Sequence, residues 1–424
     1  MSDLSLQKNR DYMAEPILDW ILNSIPEKGR NVKLFDDVGF IYEAQLAKME
    51  LSSWWRDPDE FRKRAAYYEE VGGRKTNHYY ISGIRGKGQI GRTNQYLTHW
   101  YYPYKAKFHP QMIKALINWM GLGRGQTLLD PFAGSGTALI EAKLIGVNGV
   151  GLDIDPFCIF MSRVKTDLLD MKAEELEVVD LRSAFKHFKA LESESSQVGL
   201  KKFVEANDKL RSPFRDVDER VHDFYLLSYL YALSDHTYIK RDMWEAFRGN
   251  IGLIMKSISE FCQLKQQLDL EMGRVSLTHG DARFLVREGL GKDSVDGIIT
   301  SPPYSIAVDY VANDLHAFKY LGIEPDELQD KLIGLKGKHE ERVSIYLEDM
   351  ELAFSSMFDV LKSKSSCAVI IGDVTFEGKK LPLTQRFIEI ATGAGFNLVG
   401  LIRRPILGGF ARLRYEYMIL LRKP

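Results

Sequence analysis

Residues 127–137 read TLLDPFAGSGT, a stretch that joins a short apolar run to a glycine-rich turn. Residues 127–130 are short and apolar enough to form a buried strand. Residues 131–136 form the turn, where glycine allows tight backbone conformations and close approach of a ligand. Helical sequence continues over residues 137–145 and ends at Gly146. A strand, a glycine turn and a helix in this order predict the start of a doubly wound parallel sheet.

Further strands are predicted on both sides of this stretch. Residues 147–153 form a second short apolar run and complete a strand-helix-strand unit. The two C-terminal runs, 398–402 and 416–421, flank the loop 405–412 and are expected to pair as an antiparallel edge. The fold class is therefore α/β. The remaining strands are predicted at residues 275–278, 295–300, 367–371, 398–402 and 416–421.

The regions outside the predicted sheet have helical patterns. Residues 1–73 alternate amphipathic stretches, such as 17–25 and 61–70, with short polar breaks, so we expect an N-terminal helical addition. A further helix is predicted over residues 110–120. Between Asp155 and Arg274 no convincing strand occurs, and an acidic helix (167–180) and an aromatic helix around Phe224 predict a helical insertion.

Composition indicates an ordinary folded protein. The chain has 424 residues, of which 45% are hydrophobic and 27% charged, and its net charge is -1. This length suits a catalytic core of roughly 250 residues with additional lobes. The N-terminal sequence lacks a signal-peptide pattern and no apolar run is long enough for a membrane span, so we expect a cytoplasmic protein. Cys158, Cys262 and Cys367 lack C-x-x-C spacing, so no disulfide framework or zinc site is expected.

The near-neutral net charge hides a basic segment. Residues 74–107 contain seven cations and no acid, and tyrosines and Trp100 are interleaved with them. A solvated loop is the alternative, but cations interleaved with aromatic residues favour contact with nucleic acid. The predicted DNA-binding residues are Arg74, Lys75, Arg85, Lys87 and Arg92.

Two motifs suggest a nucleoside cofactor. Asp130 ends the first strand beside the glycine turn, and Asp153 ends the second, where its carboxylate could accept hydrogen bonds from both ribose hydroxyls. The alternative is that Asp153 caps the following helix, although Asp155 is better placed for that role. Asp281 follows the next strand and could accept a hydrogen bond from an adenine amino group.

The sharpest motif is Thr300-Ser301-Pro302-Pro303-Tyr304, directly after a predicted buried strand. Successive prolines cannot continue a strand or helix, so they fix a loop at the carboxyl end of the sheet. There the Ser301 hydroxyl and the Pro302 carbonyl can accept the two protons of a target amine, and Tyr304 can stack on a base. A plain Pro-Pro turn with an exposed tyrosine is the alternative reading.

These motifs resemble those of the amino-group DNA methyltransferases, which modify N4 of cytosine or N6 of adenine. The resemblance implies a Rossmann-like S-adenosylmethionine-dependent sheet with helical additions, and it also extends to residues 104–111 and 415–423. It implies a catalytic domain at 104–156 and 275–424, an N-terminal helical and DNA-contacting region at 1–103, and an insertion at 157–274 as a candidate target-recognition region. The implied catalytic residues are Ser301, Pro302, Pro303 and Tyr304. The implied cofactor-binding residues are Lys107, Phe108, Pro110, Asp130, Pro131, Phe132, Ala133, Gly134, Ser135, Gly136, Thr137, Asp153, Ile154, Asp281 and Ala282.

The resemblance also implies a substrate and a mechanism. Double-stranded DNA is the expected partner, with a cognate restriction endonuclease as a further one, and the target base must be flipped out of the duplex. Ser301 favours N4 of cytosine, with N6 of adenine as the alternative. Methylation of a carbon would need a cysteine nucleophile, which no motif here supplies. RNA guanosine or protein glutamine as substrate, and a silent partner subunit, are the competing hypotheses.

Overall fold

The computed structural model describes residues 31–84, 95–104, 107–195, 213–303, 310–376, 379–406 and 414–424. Its N-terminal part is a small module of strands and helices. Three strands form an antiparallel sheet in the order β1, β2, β3. In chain order the elements are β1 (Val32–Leu34), α1 (Ile41–Trp54), α2 (Pro58–Arg64), β2 (Tyr68–Val71), β3 (Arg74–Lys75) and α3 (Asn77–Ile81).

This module corrects one prediction, because residues 61–70 are not one helix. Helix α2 ends at Arg64, and the buried carboxylate of Glu50 accepts hydrogen bonds from the backbone N–H groups of Ala66 and Tyr67. The chain then forms β2, which turns back into β3 through Gly72 and Gly73, both with positive φ. A Gly-Gly pair with positive φ is a typical hairpin turn, so the glycines override the helical pattern here. The predicted helix at 17–25 lies outside the described residues.

The centre of the fold is a large sheet with a strand at each of the predicted apolar runs, although the strand predicted from Cys367 begins six residues earlier, at Leu361. The strands are β4 (Thr127–Asp130), β5 (Asn148–Asp153), β6 (Val275–His279), β7 (Val295–Thr300), β8 (Leu361–Ile371), β9 (Val374–Phe376), β10 (Lys379–Leu381), β11 (Asn397–Pro405) and β12 (Tyr415–Arg422). Seven of them form one sheet in the order β11, β12, β8, β7, β4, β5, β6, and β9 pairs with β10 separately. Strands β4 to β8 pair in parallel, whereas β12 is antiparallel to β8 and β11. The predicted α/β class and antiparallel edge pair are confirmed.

Helices cover both faces of this sheet. They are α4 (Pro110–Trp119), α5 (Thr137–Leu144), α6 (Pro156–Asp167), α7 (Ala173–Leu176), α8 (Leu181–Ser195), α9 (Glu219–Ile239), α10 (Met243–Gln267), α11 (Tyr310–Leu321), α12 (Pro325–Lys331), α13 (His339–Val360) and α14 (Leu383–Gly393). Leu128 and Ile299 pack towards α4, while Leu129 and Ile298 pack towards α13 on the opposite face. Each buried side chain of this size contributes about 1.5–3 kcal/mol. The described residues between β5 and β6 form helices and their connections, as predicted, but the acidic helix predicted over 167–180 is wrong: α6 ends at Asp167 and α7 covers only Ala173–Leu176. None of the described helices is long and apolar enough to cross a membrane.

The strand order creates a switch point beside β4. From β4 the chain moves outward to β5 and β6, and it then returns to place β7 on the other side of β4. In open α/β sheets, ligands bind outside the carboxyl ends of the strands at such a point. Asp130 and Thr300 are the last residues of β4 and β7, so the glycine turn and the Pro-Pro segment both begin at this position.

Candidate active site

A cavity, partly open to solvent, lies at the carboxyl ends of β4, β5 and β7. Ligands of open α/β sheets bind at this position. The cavity brings together most of the residues predicted to bind the cofactor or the substrate. Those lining it are Lys107, Phe108, Pro131, Phe132, Ala133, Gly134, Ser135, Thr137, Asp153, Ile154, Asp281, Ala282, Ser301 and Pro303. Pro110, Asp130, Gly136 and Pro302 do not line it, and Tyr304 lies outside the described residues.

The glycine turn forms one wall of the cavity. Gly134 and Gly136 have φ of 49° and 77°, which favours glycine. A Cβ on Gly136 would lie 2.9 Å from Oγ of Ser162, and one on Gly134 would lie 3.4 Å from the ring of Tyr104. Ser162 also donates a 2.8 Å hydrogen bond to the carbonyl of Gly134. The turn is therefore packed tightly against α6 and leaves its other side open to the cavity.

Asp153 points towards the glycine turn. Its Oδ2 accepts a 2.8 Å hydrogen bond from the N–H of Gly134, and its Oδ1 accepts a 3.0 Å bond from the N–H of Asp155. Asp155 is the residue that caps α6, since its side chain accepts from the N–H of Phe157 at 2.8 Å. Burial raises the pKa of Asp153, and burial together with the charge of Asp153 raises the pKa of Asp155 to about 8. The capping alternative for Asp153 is wrong, because Asp155 fills that role.

Asp130 lies beneath the cavity and contacts the neighbouring strand. Its Oδ1 accepts hydrogen bonds from Oγ1 of Thr300 at 2.7 Å and from the N–H of Phe132 at 3.2 Å. Its Oδ2 is buried without a hydrogen-bond partner among the described residues. Burial raises the pKa of Asp130 to about 7. A buried carboxylate oxygen without a donor costs free energy, so a site that delivers a donor or positive charge nearby would relieve that cost.

The Pro-Pro segment follows β7 directly. Ser301 and Pro303 line the cavity, and Pro302 is buried. The hydroxyl of Tyr346, a fully buried residue of α13, donates a 3.2 Å hydrogen bond to the carbonyl of Pro303. Tyr346 is in turn stacked on Phe387 of α14, with ring centroids 6.1 Å apart. The Pro-Pro segment is thus held by Tyr346, which packs on Phe387, and neither residue belongs to the sequence motif.

Comparison with known proteins shows what kind of domain carries this cavity. Residues 100–221 match the family model described as "RMKL-like, methyltransferase domain", which covers β4, the glycine turn, α5 and β5. The chain contains an S-adenosylmethionine-dependent methyltransferase domain. S-Adenosylmethionine is therefore its cofactor, as the motifs predicted.

Relatives of this methyltransferase domain come from two groups. Type II methyltransferase M.MjaII of Methanocaldococcus jannaschii is 27% identical over 172 residues, 40% of this chain and 30% of that protein. Type II methyltransferase M.BsoBI of Geobacillus stearothermophilus is 22% identical over 283 residues, 56% of this chain and 55% of that protein. The tRNA (guanine(10)-N2)-dimethyltransferase of Methanothermobacter thermautotrophicus is 44% identical over 52 residues, 12% of this chain and 16% of that protein. The chain thus spans about half or less of each relative, and the type II methyltransferases among them are consistent with the predicted resemblance to amino-group DNA methyltransferases.

Two charged residues of the methyltransferase cavity have partners that the motifs did not reveal. The guanidinium of Arg283 donates to both carboxylate oxygens of Asp281, at 2.9 and 3.0 Å from Nε, and also bonds Asp349 of α13. Lys107 donates to the carbonyls of His99 at 2.9 Å and Tyr102 at 3.4 Å, and burial lowers its pKa to about 8. Asp281 is thus already neutralised by Arg283, whereas Lys107 presents a positive charge at the cavity wall.

The far wall of the cavity comes from helices that carry no motif. Val311 and Phe318 of α11 contribute to it, as do Leu328 of α12 and the following Leu332 and Ile333. Tyr104, Asp155 and Cys158 complete the lining near the glycine turn. Apolar residues of this kind are indistinguishable from core residues in a sequence. Only their position in the fold identifies them.

The described cations of the basic segment lie in two places: Lys107 lines the cavity, whereas Arg74 and Lys75 lie elsewhere. Arg74 is paired with Asp59, and Lys75 is paired with Glu69 and Glu70. Both line a groove with Leu264 and Leu268, at the end of α10 that precedes the start of β6, so this groove lies towards the amino ends of the strands, away from the cavity. Arg85, Lys87 and Arg92 lie outside the described residues. The aromatic residues expected to interleave with the cations are mostly core: Tyr96, Trp100, Tyr101 and Tyr102 are buried.

Proposed function

We propose that this chain transfers a methyl group to N4 of a cytosine flipped out of double-stranded DNA. One observation carries the proposal: the glycine turn with Asp153 and the Ser301–Pro303 segment line the same cavity. A cofactor on one side and a target amine on the other would therefore meet within it. Holding two reactants in line at near-attack distance supplies a large part of the catalysis such a transfer needs.

Residues of the cavity suit the cofactor chemically. When bound, S-adenosylmethionine supplies an electrophilic methyl group on a positively charged sulfonium. Asp153 would accept hydrogen bonds from the ribose hydroxyls, since its carboxylate is fixed beside the glycine turn. Lys107 would pair with the carboxylate of the methionyl end, and the buried, unpaired Oδ2 of Asp130 favours positive charge on this side of the cavity.

The Ser301–Pro303 segment would orient the target amine. The hydroxyl of Ser301, which lines the cavity, would accept a hydrogen bond from one of its N–H groups and so help to direct the nitrogen lone pair towards the methyl group. Tyr346 holds the carbonyl of Pro303 and so limits movement of the loop. Tyr304 stacks on the flipped base and offsets part of the flipping cost, at about 1–3 kcal/mol.

The residue at position 301 favours cytosine. In the amino-methyltransferases that the motifs resemble, serine at this position is typical of N4-cytosine enzymes and aspartate of N6-adenine enzymes. A neutral hydroxyl is a weaker hydrogen-bond acceptor than a carboxylate. N6 of adenine is the alternative target, and nucleoside mass spectrometry of DNA methylated by the purified enzyme distinguishes the two.

RNA is a second candidate substrate, because the tRNA dimethyltransferase relative has the highest identity of the relatives described above, over a short stretch. Incubation with labelled S-adenosylmethionine and either bacterial genomic DNA or total RNA tests the two substrates. Label in DNA supports the proposal. Label in RNA alone would replace it with RNA N-methylation by the same cavity.

A further inference from the structure

The insertion between β5 and β6 ends in an exposed tip where α9 passes into α10. The tip comprises residues 237–242, and its Tyr238 and Ile239 are 53% and 65% exposed. Single exposed apolar residues are common on protein surfaces. Tyr238 and Ile239 are adjacent and lie at the end of a 21-residue helix. Their location determines what they can contact.

The tip is anchored beside the cavity. The hydroxyl of Tyr238 donates hydrogen bonds to the carbonyls of Asn313 at 2.7 Å and Ala312 at 3.3 Å, in the first turn of α11. The same helix lines the cavity through Val311 and Phe318. Tyr238 therefore ties the tip to the amino end of α11, the helix whose Val311 and Phe318 line the cavity.

A buried cluster supports this anchor. The ring of Tyr238 meets the ring of His316 edge to face at 5.5 Å, and His316 is stacked on Tyr102 at 6.3 Å with an angle of 13°. The hydroxyl of the buried Tyr102 donates a 2.8 Å hydrogen bond to Asp314. The cluster joins the insertion, α11 and the segment before the glycine turn. A substitution confined to the exposed Ile239 leaves these contacts in place.

The backbone of the tip is also constrained. Lys240 has φ of 58° and ends α9, and the side chain of Asp242 caps α10 by accepting from the N–H of Glu245 at 2.9 Å. Arg241 pairs with Asp235 at 3.2 Å. Ile239 is therefore held out in solvent by a rigid connection, and the exposed ammonium of Lys240 follows it directly.

A DNA duplex with a flipped base is a partner that suits such a tip. Flipping opens a gap in the base stack, and proteins that deform DNA insert apolar side chains such as isoleucine between bases. Phosphates beside the gap would attract the exposed Lys240, whereas Arg241 is already paired with Asp235. We infer that the α9–α10 tip contacts the duplex at the target site and that Ile239 enters the space vacated by the flipped base. This inference rests on the proposed function and adds the residue that keeps the base out of the helix.

The inference is tested with Ile239→Ala and a matched control, Val399→Ala. Val399 is 52% exposed on β11, at the far edge of the sheet, with β12 and β8 between it and β7. Two duplexes carry the site that sequencing of wild-type-methylated DNA identifies. In one the target is normally paired, and in the other it lies opposite an abasic site.

The expected result is selective. Ile239→Ala lowers the methylation rate on the paired duplex by about tenfold or more, which corresponds to part of a flipping cost of a few kcal/mol. On the abasic duplex, where the target is already unpaired, the rate falls by less than about twofold. Val399→Ala changes neither rate. With S-adenosylhomocysteine present, fluorescence of 2-aminopurine beside the target rises on binding of the wild type and rises less with Ile239→Ala.

Three results would overturn the inference. An equal loss of rate on both duplexes would show that Ile239 makes a general contact and does not enter the vacated space. An unchanged rate on both would show that the tip does not contact DNA. A change in oligomeric state on sedimentation of Ile239→Ala would assign the tip to contact with a second copy of the chain. If the wild type methylates RNA and no DNA, the proposed function fails first, and this outcome is distinguishable because it appears before any variant is compared.

Discussion

The hydroxyl of Thr300 donates a 2.7 Å hydrogen bond to the carboxylate of Asp130, both residues being buried. These are the last residues of β7 and β4, so the bond joins the strand that carries the Ser301–Pro303 segment to the strand that carries the glycine turn. The separation between the two halves of the cavity is therefore set inside the sheet, beneath the residues that line it.

Thr300→Val should destabilise the protein by about 1–3 kcal/mol, because the buried carboxylate of Asp130 loses a donor while the shape of the strand is kept. Urea unfolding measures the change. Thr375→Val, an exposed position on β9, is the control and should change stability by less than about 0.5 kcal/mol. Equal effects of the two variants would show that the bond contributes nothing specific.

The pH dependence of folding should reflect buried carboxyl groups. Burial raises the pKa of Asp155 to about 8, above its unfolded value near 4, so the folded state binds this proton more tightly. The resulting stability is present below pH 4 and is lost as pH rises towards 8. Asp155→Asn keeps an N-cap and cannot ionise, so its unfolding free energy should fall less between pH 5 and pH 9 than that of the wild type. Parallel pH profiles would contradict the raised pKa.

Asp153→Ala should weaken cofactor binding. Loss of a charged hydrogen bond to the ribose costs roughly 1.5–3 kcal/mol, which is about a 10- to 150-fold increase in Kd. Calorimetry with S-adenosylmethionine measures it. Asp281→Asn is a useful comparison, because Arg283 already occupies both oxygens of Asp281 and a smaller loss is expected. Unchanged affinity of Asp153→Ala would make this residue purely structural.

Ser301→Ala and Tyr304→Ala should each lower kcat and leave cofactor affinity near the wild-type value. Tyr346→Phe should do the same more weakly, by about fivefold for a lost bond near 1 kcal/mol, because Tyr346 acts only by positioning Pro303. Single-turnover methylation combined with calorimetry separates the two quantities. Full activity of Ser301→Ala would remove the catalytic role of the segment.

Substitution of Arg85, Lys87 and Arg92 by alanine should weaken DNA binding and flatten its salt dependence, by about 0.9 in the logarithmic slope for each lost phosphate contact. Arg74→Ala with Lys75→Ala is the control, since both cations pair with acids beside the amino ends of the strands. Binding titrations at several salt concentrations compare the triple variant with this control. A larger effect of the control pair would place DNA at that end of the molecule.

Features with a local cause could be predicted from the sequence, and features set by distant contacts could not. The strand over residues 295–300 and the loop after it are correct because an apolar run followed by two prolines leaves few alternatives. Strand β2 could not be predicted because the backbone N–H groups of Ala66 and Tyr67 donate hydrogen bonds to Glu50, which lies 16 and 17 positions earlier in the chain. Arg283 and Tyr346 were missed because a buried polar side chain has no pattern of its own until its partner is known.

The insertion has a kinetic consequence. Strand β5 pairs with β4 through Leu128 and Gly149, whereas β5 pairs with β6 through Gly149 and Val275. The chain between the paired residues is 126 positions long for β5 and β6 and 21 positions long for β4 and β5. This sixfold difference adds roughly 1.6 kcal/mol to the entropy cost of pairing β6 with β5. Formation of β4, α5 and β5 should therefore precede docking of β6 during folding. The cavity wall that contains Asp281 would be completed late, and a bound cofactor would act on the last steps of folding by stabilising the finished pocket.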